Sequence, residues 1–298
     1  MKKMLTLLLV LALLLSTATS AYAADITEDN EQTRVSESQI VTVGTLEELE
    51  TAIAAAADGD TIAISAKIML DGVVLETKKD ITLVRSDTYK SGVLFRMEND
   101  ATLSGFNIED ANYSRTIICE SSSEIKMCSF SGDSAATFIF IGSSFADATV
   151  SISDCNFIGA KNSAIRILRN SQVTILNSTF CDNSSDTQGG AIYCGDTLIL
   201  KNCTFSGNKA ASGGGVYCSG DLTITECQFN GNSIESEKFG TDILSFGTLN
   251  ITDTPQEGVG YYEESTGEKL SLPLDDFEDT AKLIYLTDED VKAYFAPA

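Results

Sequence analysis

Apolar and polar residues alternate through most of this chain, and the alternation returns on a fixed period. Val150-x-Ile152-x-Asp154-Cys155-x-Phe157 is followed by Val173-x-Ile175-x-Asn177-Ser178-x-Phe180. The phrase returns as Leu198-x-Leu200-x-Asn202-Cys203-x-Phe205 and as Leu222-x-Ile224-x-Glu226-Cys227-x-Phe229. Residues of the cysteine column stand 23, 25 and 24 positions apart. Alternation of period two is the pattern of a strand with one buried side, and a repeat of about 20 to 30 residues predicts a solenoid whose units stack on one another. Ile62-x-Ile64, Ile81-x-Leu83, Ala101-x-Leu103 and Ile125 ahead of Cys128 extend the pattern toward the N-terminus, with Phe106 and Ile108 in the phase of the later Cys and Phe. Leu249-x-Ile251-x-Asp253 is a last weak copy. The array therefore predicts an all-β, single-domain parallel β-helix of about eight rungs between Thr61 and Thr254, with three short strands per rung.

A second strand in each unit follows small residues, as in Gly92-Val93-Leu94-Phe95, Ala164-Ile165-Arg166-Ile167, Gly190-Ala191-Ile192-Tyr193-Cys194 and Gly214-Gly215-Val216-Tyr217-Cys218. Glycine there permits left-handed backbone and close approach of neighbouring chains. Asn183, Asn208 and Asn232 each lie three residues after a repeat Phe, which predicts left-handed turns and a ladder of side-chain hydrogen bonds along the axis. Ahead of the array, Thr45-x-x-Glu48 is a capping box opening an amphipathic helix (Leu46, Leu49, Ile53, Ala56), and Asp58-Gly59-Asp60 stops it. So short a helix needs a surface to cover, and the open first rung supplies one.

Lys2 and Lys3, the apolar run Leu5 to Leu15, and Ala21-Tyr22-Ala23 read as a signal peptide over residues 1–23. The run is too short for a membrane span, which wants about 20 residues. No cysteine follows the cleavage site to carry a lipid, and no second apolar run follows, so the expectation is a secreted, extracellular protein without a transmembrane segment. Residues 24–43 are polar and predict a flexible leader; residues 44–254 hold the β-helix with its N-terminal helical cap. From Pro255 the period is lost, and residues 255–298 form an acidic segment (Asp275-Asp276, Glu278-Asp279) that keeps Tyr261, Tyr262, Phe277 and Leu283 to Leu286. This segment is expected to fold back as a C-terminal cap, ending in a short helix over Val291–Phe295.

With 43 Asp+Glu against 20 Lys+Arg the formal charge is −23, which repels nucleic acid, anionic membranes and polyuronate chains at long range. No nucleic-acid partner is expected. Histidine is absent, which removes His-based acid/base pairs and a zinc site, and tryptophan is absent, so sugar stacking would fall to tyrosine. Neither a metal nor a cofactor is expected. Of the eight cysteines, Cys128 with Cys155, Cys194 with Cys218, and Cys203 with Cys227 match on adjacent units, while Cys119 and Cys181 have no counterpart. Stacked strands about 4.8 Å apart fall inside the disulfide window, but side chains pointing the same way would strain the bond. Buried thiols acting as small hydrophobes are expected instead.

Taken together, the repeats resemble the right-handed parallel β-helix of the pectin-lyase-like superfamily. Gly189–Ile192 and the Phe-x-x-Asn phrases at Phe180, Phe205 and Phe229 are similar to repeats of chlamydial polymorphic outer membrane proteins. That closer likeness spans Ser178 to Asn232, and nothing here matches the C-terminal barrel of that family. The wider resemblance implies a scaffold on which enzymes cleave polysaccharides with carboxylates and an Arg or Lys on outward positions. On the first strand those positions are hydroxyls (Thr149, Ser151, Ser153, Thr174, Thr223, Thr225) with no stacked acid pair. Asp182, Asp186 and Asp196 sit in loops, where solvation or capping is the ordinary role. Lys161, Arg166 and Arg169 cluster on one unit, and alternation points Arg166 outward on the row of Tyr193 and Tyr217, extended by Ile118 and Leu94. The binding residues expected are therefore Arg166, Tyr193 and Tyr217, unless the C-terminal segment or a loop covers them. The function expected is a non-catalytic surface-interaction or adhesion-type module with a glycan or surface-protein partner. The alternatives are a polysaccharide lyase or glycoside hydrolase on the same scaffold, or one subunit of a larger surface assembly.

Overall fold

A computed structural model describes residues 40–110, 115–132, 137–142, 147–235, 240–254, 259–261 and 284–285. The alternating stretches are short strands, each paired in parallel with its equivalent one turn away, which makes a parallel β-helix of about eight turns with three faces. Face I stacks Ser123–Lys126, Ala148–Ser153, Ser171–Leu176, Thr197–Lys201, Leu222–Thr225 and Leu249–Thr252. Face III stacks Ser129–Ser131, Asn156–Ile158, Thr179–Cys181, Thr204–Ser206 and Gln228–Asn230. In the early turns two longer strands, Val74–Arg85 and Ala101–Glu109, run through both faces. Face II stacks Ile68–Asp71, Phe95–Glu98, Arg115–Cys119, Thr137–Ile141, Ile165–Ile167, Ile192–Cys194, Val216–Cys218 and Ile243–Ser245.

The register places like on like. Val150, Val173, Leu198 and Leu222 are successive partners, and so are Ile108, Phe130, Phe157, Phe180, Phe205 and Phe229. The phenyl rings form a nearly parallel interior file with centroids 4.9, 4.8, 4.8 and 4.7 Å apart from Phe130 to Phe229. That spacing is the strand separation itself, so ring stacking and backbone pairing are satisfied by one repeat distance.

Between faces I and III the chain bends through one left-handed residue per turn: Met127, Asp154, Asn177, Asn202, Glu226 and Asp253, with φ from 48 to 55°. The next residue, in the cysteine column, holds the bend. Ser178 Oγ accepts from Cys155 N at 3.2 Å and donates to Leu176 O at 2.8 Å. Cys227 Sγ accepts from Cys203 N at 3.4 Å and donates to Thr225 O at 3.4 Å, and Thr254 Oγ1 repeats the pattern for Cys227 N. The expectation that these thiols are merely small hydrophobes is thus corrected: the column needs a small donor–acceptor atom, which Cys, Ser and Thr all provide. All eight cysteines are free thiols, seven of them buried. Burial pushes Cys119 up to about 12 and Cys128 up to about 11, so both are neutral and unreactive at ordinary pH.

The asparagine ladder is present, but not as left-handed turns. Asn183 Nδ2 donates to Asn208 Oδ1 at 3.0 Å and Asn208 Nδ2 to Asn232 Oδ1 at 2.9 Å, while the same oxygens accept Asn183 N and Asn208 N. Each amide also donates to the carbonyl of a repeat Phe one turn back. The left-handed positions of this corner fall one residue earlier, at Asp182, Gly207 and Gly231. Before face II, Gly190 lies so close to its neighbour that a Cβ would stand 2.2 Å from Gly214 O, which only glycine avoids.

Helix α1 (Leu46–Ala55) carries the expected capping box, with Glu48 N donating to Thr45 Oγ1 and Thr45 N to Glu48 Oε2, both at 3.2 Å. Leu49 is buried and Leu46, Ala52 and Ile53 pack on the core, so the helix covers the first turn. Lys79 Nζ donates to Ile53 O, Ala54 O and Ala56 O at 3.0, 3.0 and 2.7 Å, placing a cation on the negative end of the helix.

Two boundaries need correction. Val41–Val43, expected in the flexible leader, is a strand paired with Thr61–Ile64, because Val41 and Val43 match Ile62 and Ile64 in phase. The array does not stop at Thr254: Val259–Tyr261 and Ile284–Tyr285 add two backbone-paired strands to face II. Residues 1–23, expected to be a signal peptide, residues 24–39 and most of the C-terminal segment, with its expected helix, lie outside the described residues.

Candidate functional site: the outward row of face II

Parity decides which side chains leave the tube. In Ile165–Ile167 and Ile192–Cys194 the outer two residues are buried, so Arg166 and Tyr193 point outward. Pairing then strings one outward row along the axis: Met69, Arg96, Ile118, Phe140, Arg166, Tyr193, Tyr217 and Leu244. The three residues expected from sequence are brought together. Arg166 Cζ lies 4.4 Å from the Tyr193 ring centroid, and the Tyr193 and Tyr217 rings stack at 5.3 Å and 11°. Arg166 Nη1 also donates to Asn162 Oδ1 at 3.3 Å.

Tyr217 is 5% exposed and packs on Phe246 at 5.7 Å, and Leu244 is wholly buried, so the accessible part of the row ends at Tyr193. Leu94 does not belong to the row. It is fully buried, and its place is taken by Arg96 two residues later, because the strand starts at Phe95 with its own inward phase. Phe140 and Arg115 escaped the sequence reading. Thr137–Ile141 reads Thr-Phe-Ile-Phe-Ile, in which alternation puts both Phe on one side and does not say whether the Phe or the Ile face out. At Phe138 the alternation is broken, since Phe138 N and Ile139 N both donate to Ala164 O. Phe138 is in the core and Phe140 is outward, with Arg115 Cζ 3.5 Å from its centroid.

Beside the row runs a groove of about 650 Å³, lined among others by Phe140, Tyr193, Leu168, Arg169, Arg96 and Glu120. Its end toward the N-terminus is an ion cluster: Arg96 binds Glu98 at 2.8 Å and also Glu120. Glu98 and Glu120 sit on adjacent turns, a stacked acid pair on face II that the search of the first strand did not find. On face I Ser151 stacks on Thr174, but Ile199 separates Thr174 from Thr223, so the expected hydroxyls do not form one unbroken row. Of the loop acids, Asp196 Oδ2 accepts Ser171 N at 3.1 Å and so serves as a cap.

Burial pushes the Arg166 guanidinium below its ordinary value, the Tyr193 hydroxyl opposes this, and the charge of Arg115 pushes it further down. Burial alone lowers Arg115. Both stay charged at any physiological pH. Among the described residues there is no cluster of three His, Cys, Asp or Glu arranged to hold a metal ion, and no helix long and apolar enough to cross a membrane.

Comparison with known proteins matches residues 71–264 to the family described as right handed beta helix region. No curated protein matches the chain. Among solved structures, the alginate lyase of Paenibacillus sp. str. FPU-7 is similar at 13% identity and a TM-score of 0.26, covering 74% of this chain and 98% of that one. ORF18 of Geobacillus virus E2 is similar at 12% identity and a TM-score of 0.27, covering 72% of this chain and 49% of that one.

Proposed function

This chain belongs to the right-handed β-helix region family, and on that footing we propose that it is a secreted, non-catalytic surface-interaction module that holds a glycan chain along face II. The observation that carries this reading is the run Phe140, Arg166, Tyr193 on successive turns beside a groove of about 650 Å³. Two aromatic rings flank a guanidinium, and Arg169, which forms no ion pair among the described residues, stands on the wall. Ring faces pack against the apolar faces of sugars, while arginine and Asn170 supply donors to hydroxyls. A linear polymer suits a row of side chains set about 4.8 Å apart along one axis. Export follows from the reading of residues 1–23 as a signal peptide.

The test is a panel of polysaccharides scored both for binding and for release of reducing or unsaturated ends. Binding without products, weakened at least tenfold by Tyr193→Ala, is the expected outcome. A second reading, a lyase or glycoside hydrolase, draws on one observation: the Glu98–Glu120 pair closing the same groove. It predicts products that vanish in Glu120→Gln. Turnover of that kind would replace the binding reading, and binding unaffected by Tyr193→Ala would move the contact off face II.

A further inference from the structure

We infer that Arg115 and Arg166, each laid on an aromatic ring of face II, form a site for a tetrahedral oxyanion ester, a sulfate or phosphate monoester carried on the chain that face II holds. The inference deepens the function proposed above and rests on it for the carrier, while the anion site is measurable without any carrier.

The charge inventory comes first. Acids outnumber bases 43 to 20 in this chain, so a cation has carboxylates to choose from. Of the five arginines among the described residues, two have taken them. Arg85 is paired with Asp110 at 2.7 Å in the interior, and Arg96 with Glu98 and Glu120. Arg115, Arg166 and Arg169 form no ion pair among the described residues; Arg115 and Arg166 stand two turns apart on face II, and Arg169 lies in the bend that follows the strand of Arg166. A like-charged group without a carboxylate partner among the described residues of so acidic a molecule marks a surface that meets negative charge.

Positioning comes second. Phe140 is the direct register partner of Arg166, and Arg115 begins the strand one turn before Phe140. Arg115 reaches across to stand 3.5 Å over the Phe140 ring, and Arg166 stands 4.4 Å over the Tyr193 ring. Ring faces hold each guanidinium flat and remove water from one side, which leaves the N–H edges for a ligand. The two charges feel one another, since Arg115 depresses the ionisation of Arg166. That repulsion is relieved by an anion between them.

The number of acceptor oxygens selects the ligand. A carboxylate presents two oxygens in one plane, where one arginine fork meets both, although each oxygen can accept a second donor. A sulfate or phosphate monoester presents three terminal oxygens set tetrahedrally, which two forks on different turns meet from two directions. Lysine could not replace either arginine without losing the flat edge that meets them.

The experiment follows the side-chain Nε–Hε signals of Arg115 and Arg166 in the full chain during titration with inorganic sulfate, inorganic phosphate and, at matched ionic strength, acetate. Saturable shifts of both signals with sulfate or phosphate, at least threefold larger than with acetate, are expected. Arg115→Gln should abolish the shift at Arg166, and Arg166→Gln the shift at Arg115, with the unfolding temperature little changed because neither side chain belongs to the core. Equal response to acetate, or none to any anion, overturns the site. In the carrier arm, a sulfated polysaccharide is compared with its desulfated form, and a phosphorylated one with its dephosphorylated form. The pair that loses at least tenfold in affinity, matched by the loss in Arg115→Gln, identifies the source. Glycan binding indifferent to ester removal and to Arg115→Gln leaves the proposed function standing and sinks this inference. Anion shifts without binding of any glycan do the opposite.

Discussion

The inside and the outside of the same tube obey different rules. Inside, Phe130, Phe157, Phe180, Phe205 and Phe229 repeat one residue type on five successive turns, with rings stacked at 4.7 to 4.9 Å. Outside, the row on face II reads Met69, Arg96, Ile118, Phe140, Arg166, Tyr193, Tyr217, Leu244, with scarcely a residue repeated. An interior position sees the same neighbours on every turn, so one solution is reused. An outward position answers to whatever lies beyond the surface. Departure from the repeat is therefore the informative signal on this scaffold, and it is concentrated where two rings meet arginines that form no ion pair among the described residues.

The sharpest way to break this contrast is to truncate one ring from each side. Phe180→Ala removes a fully buried ring with stacked neighbours on both sides and should cost about 3 to 5 kcal/mol in denaturant unfolding. Tyr193→Ala should cost far less stability while weakening binding. Comparable losses from both would show that face II is structural rather than functional. Next in size is the amide ladder. Asn208→Ala removes the acceptor of Asn183 N, one of the two bonds of Asn183 Nδ2 and the side-chain donor to Phe180 O, with an expected loss of about 2 to 4 kcal/mol. A loss under about 1 kcal/mol would mean that water replaces the ladder.

The smallest effect separates chemistry from packing in the cysteine column. Cys203 Sγ is buried and donates to Lys201 O at 3.4 Å, at a bend where Ser178 serves the same purpose. Cys203→Ser should be nearly neutral. Cys203→Val, closer in volume and apolarity, should cost about 1 to 2 kcal/mol for the hydrogen bonds it cannot make. The reverse order would restore the view of these thiols as simple hydrophobes.

Much of this was legible in the residues. The Cys-x-Phe phrase announced the interior file, Phe-x-x-Asn the ladder, and Thr45-x-x-Glu48 the helix that covers the first turn. Arg166 and Tyr193 were legible too, because Ala-Ile-Arg-Ile and Ala-Ile-Tyr-Cys share one phase. Arg115 and Phe140 were not: the steps from Ile118 to Phe140 and from Phe140 to Arg166 are 22 and 26 residues, and the local pattern Thr-Phe-Ile-Phe-Ile permits either parity. Leu94 was misplaced for the same reason, by a slip of register across an irregular turn.

A repeat states its own neighbours: when equal units stack, each residue lies on its copy, so the linear text alone determined the tube, its stacked interior and the capped first turn. The unequal stretches carry no such statement. Which outward side chains meet there depends on how the closing backbone absorbs the extra residues and on how far a long side chain leans across to the next turn. Arg115 over Phe140 is a contact of that kind, made between turns by reach rather than by repetition, and only the folded chain decides it.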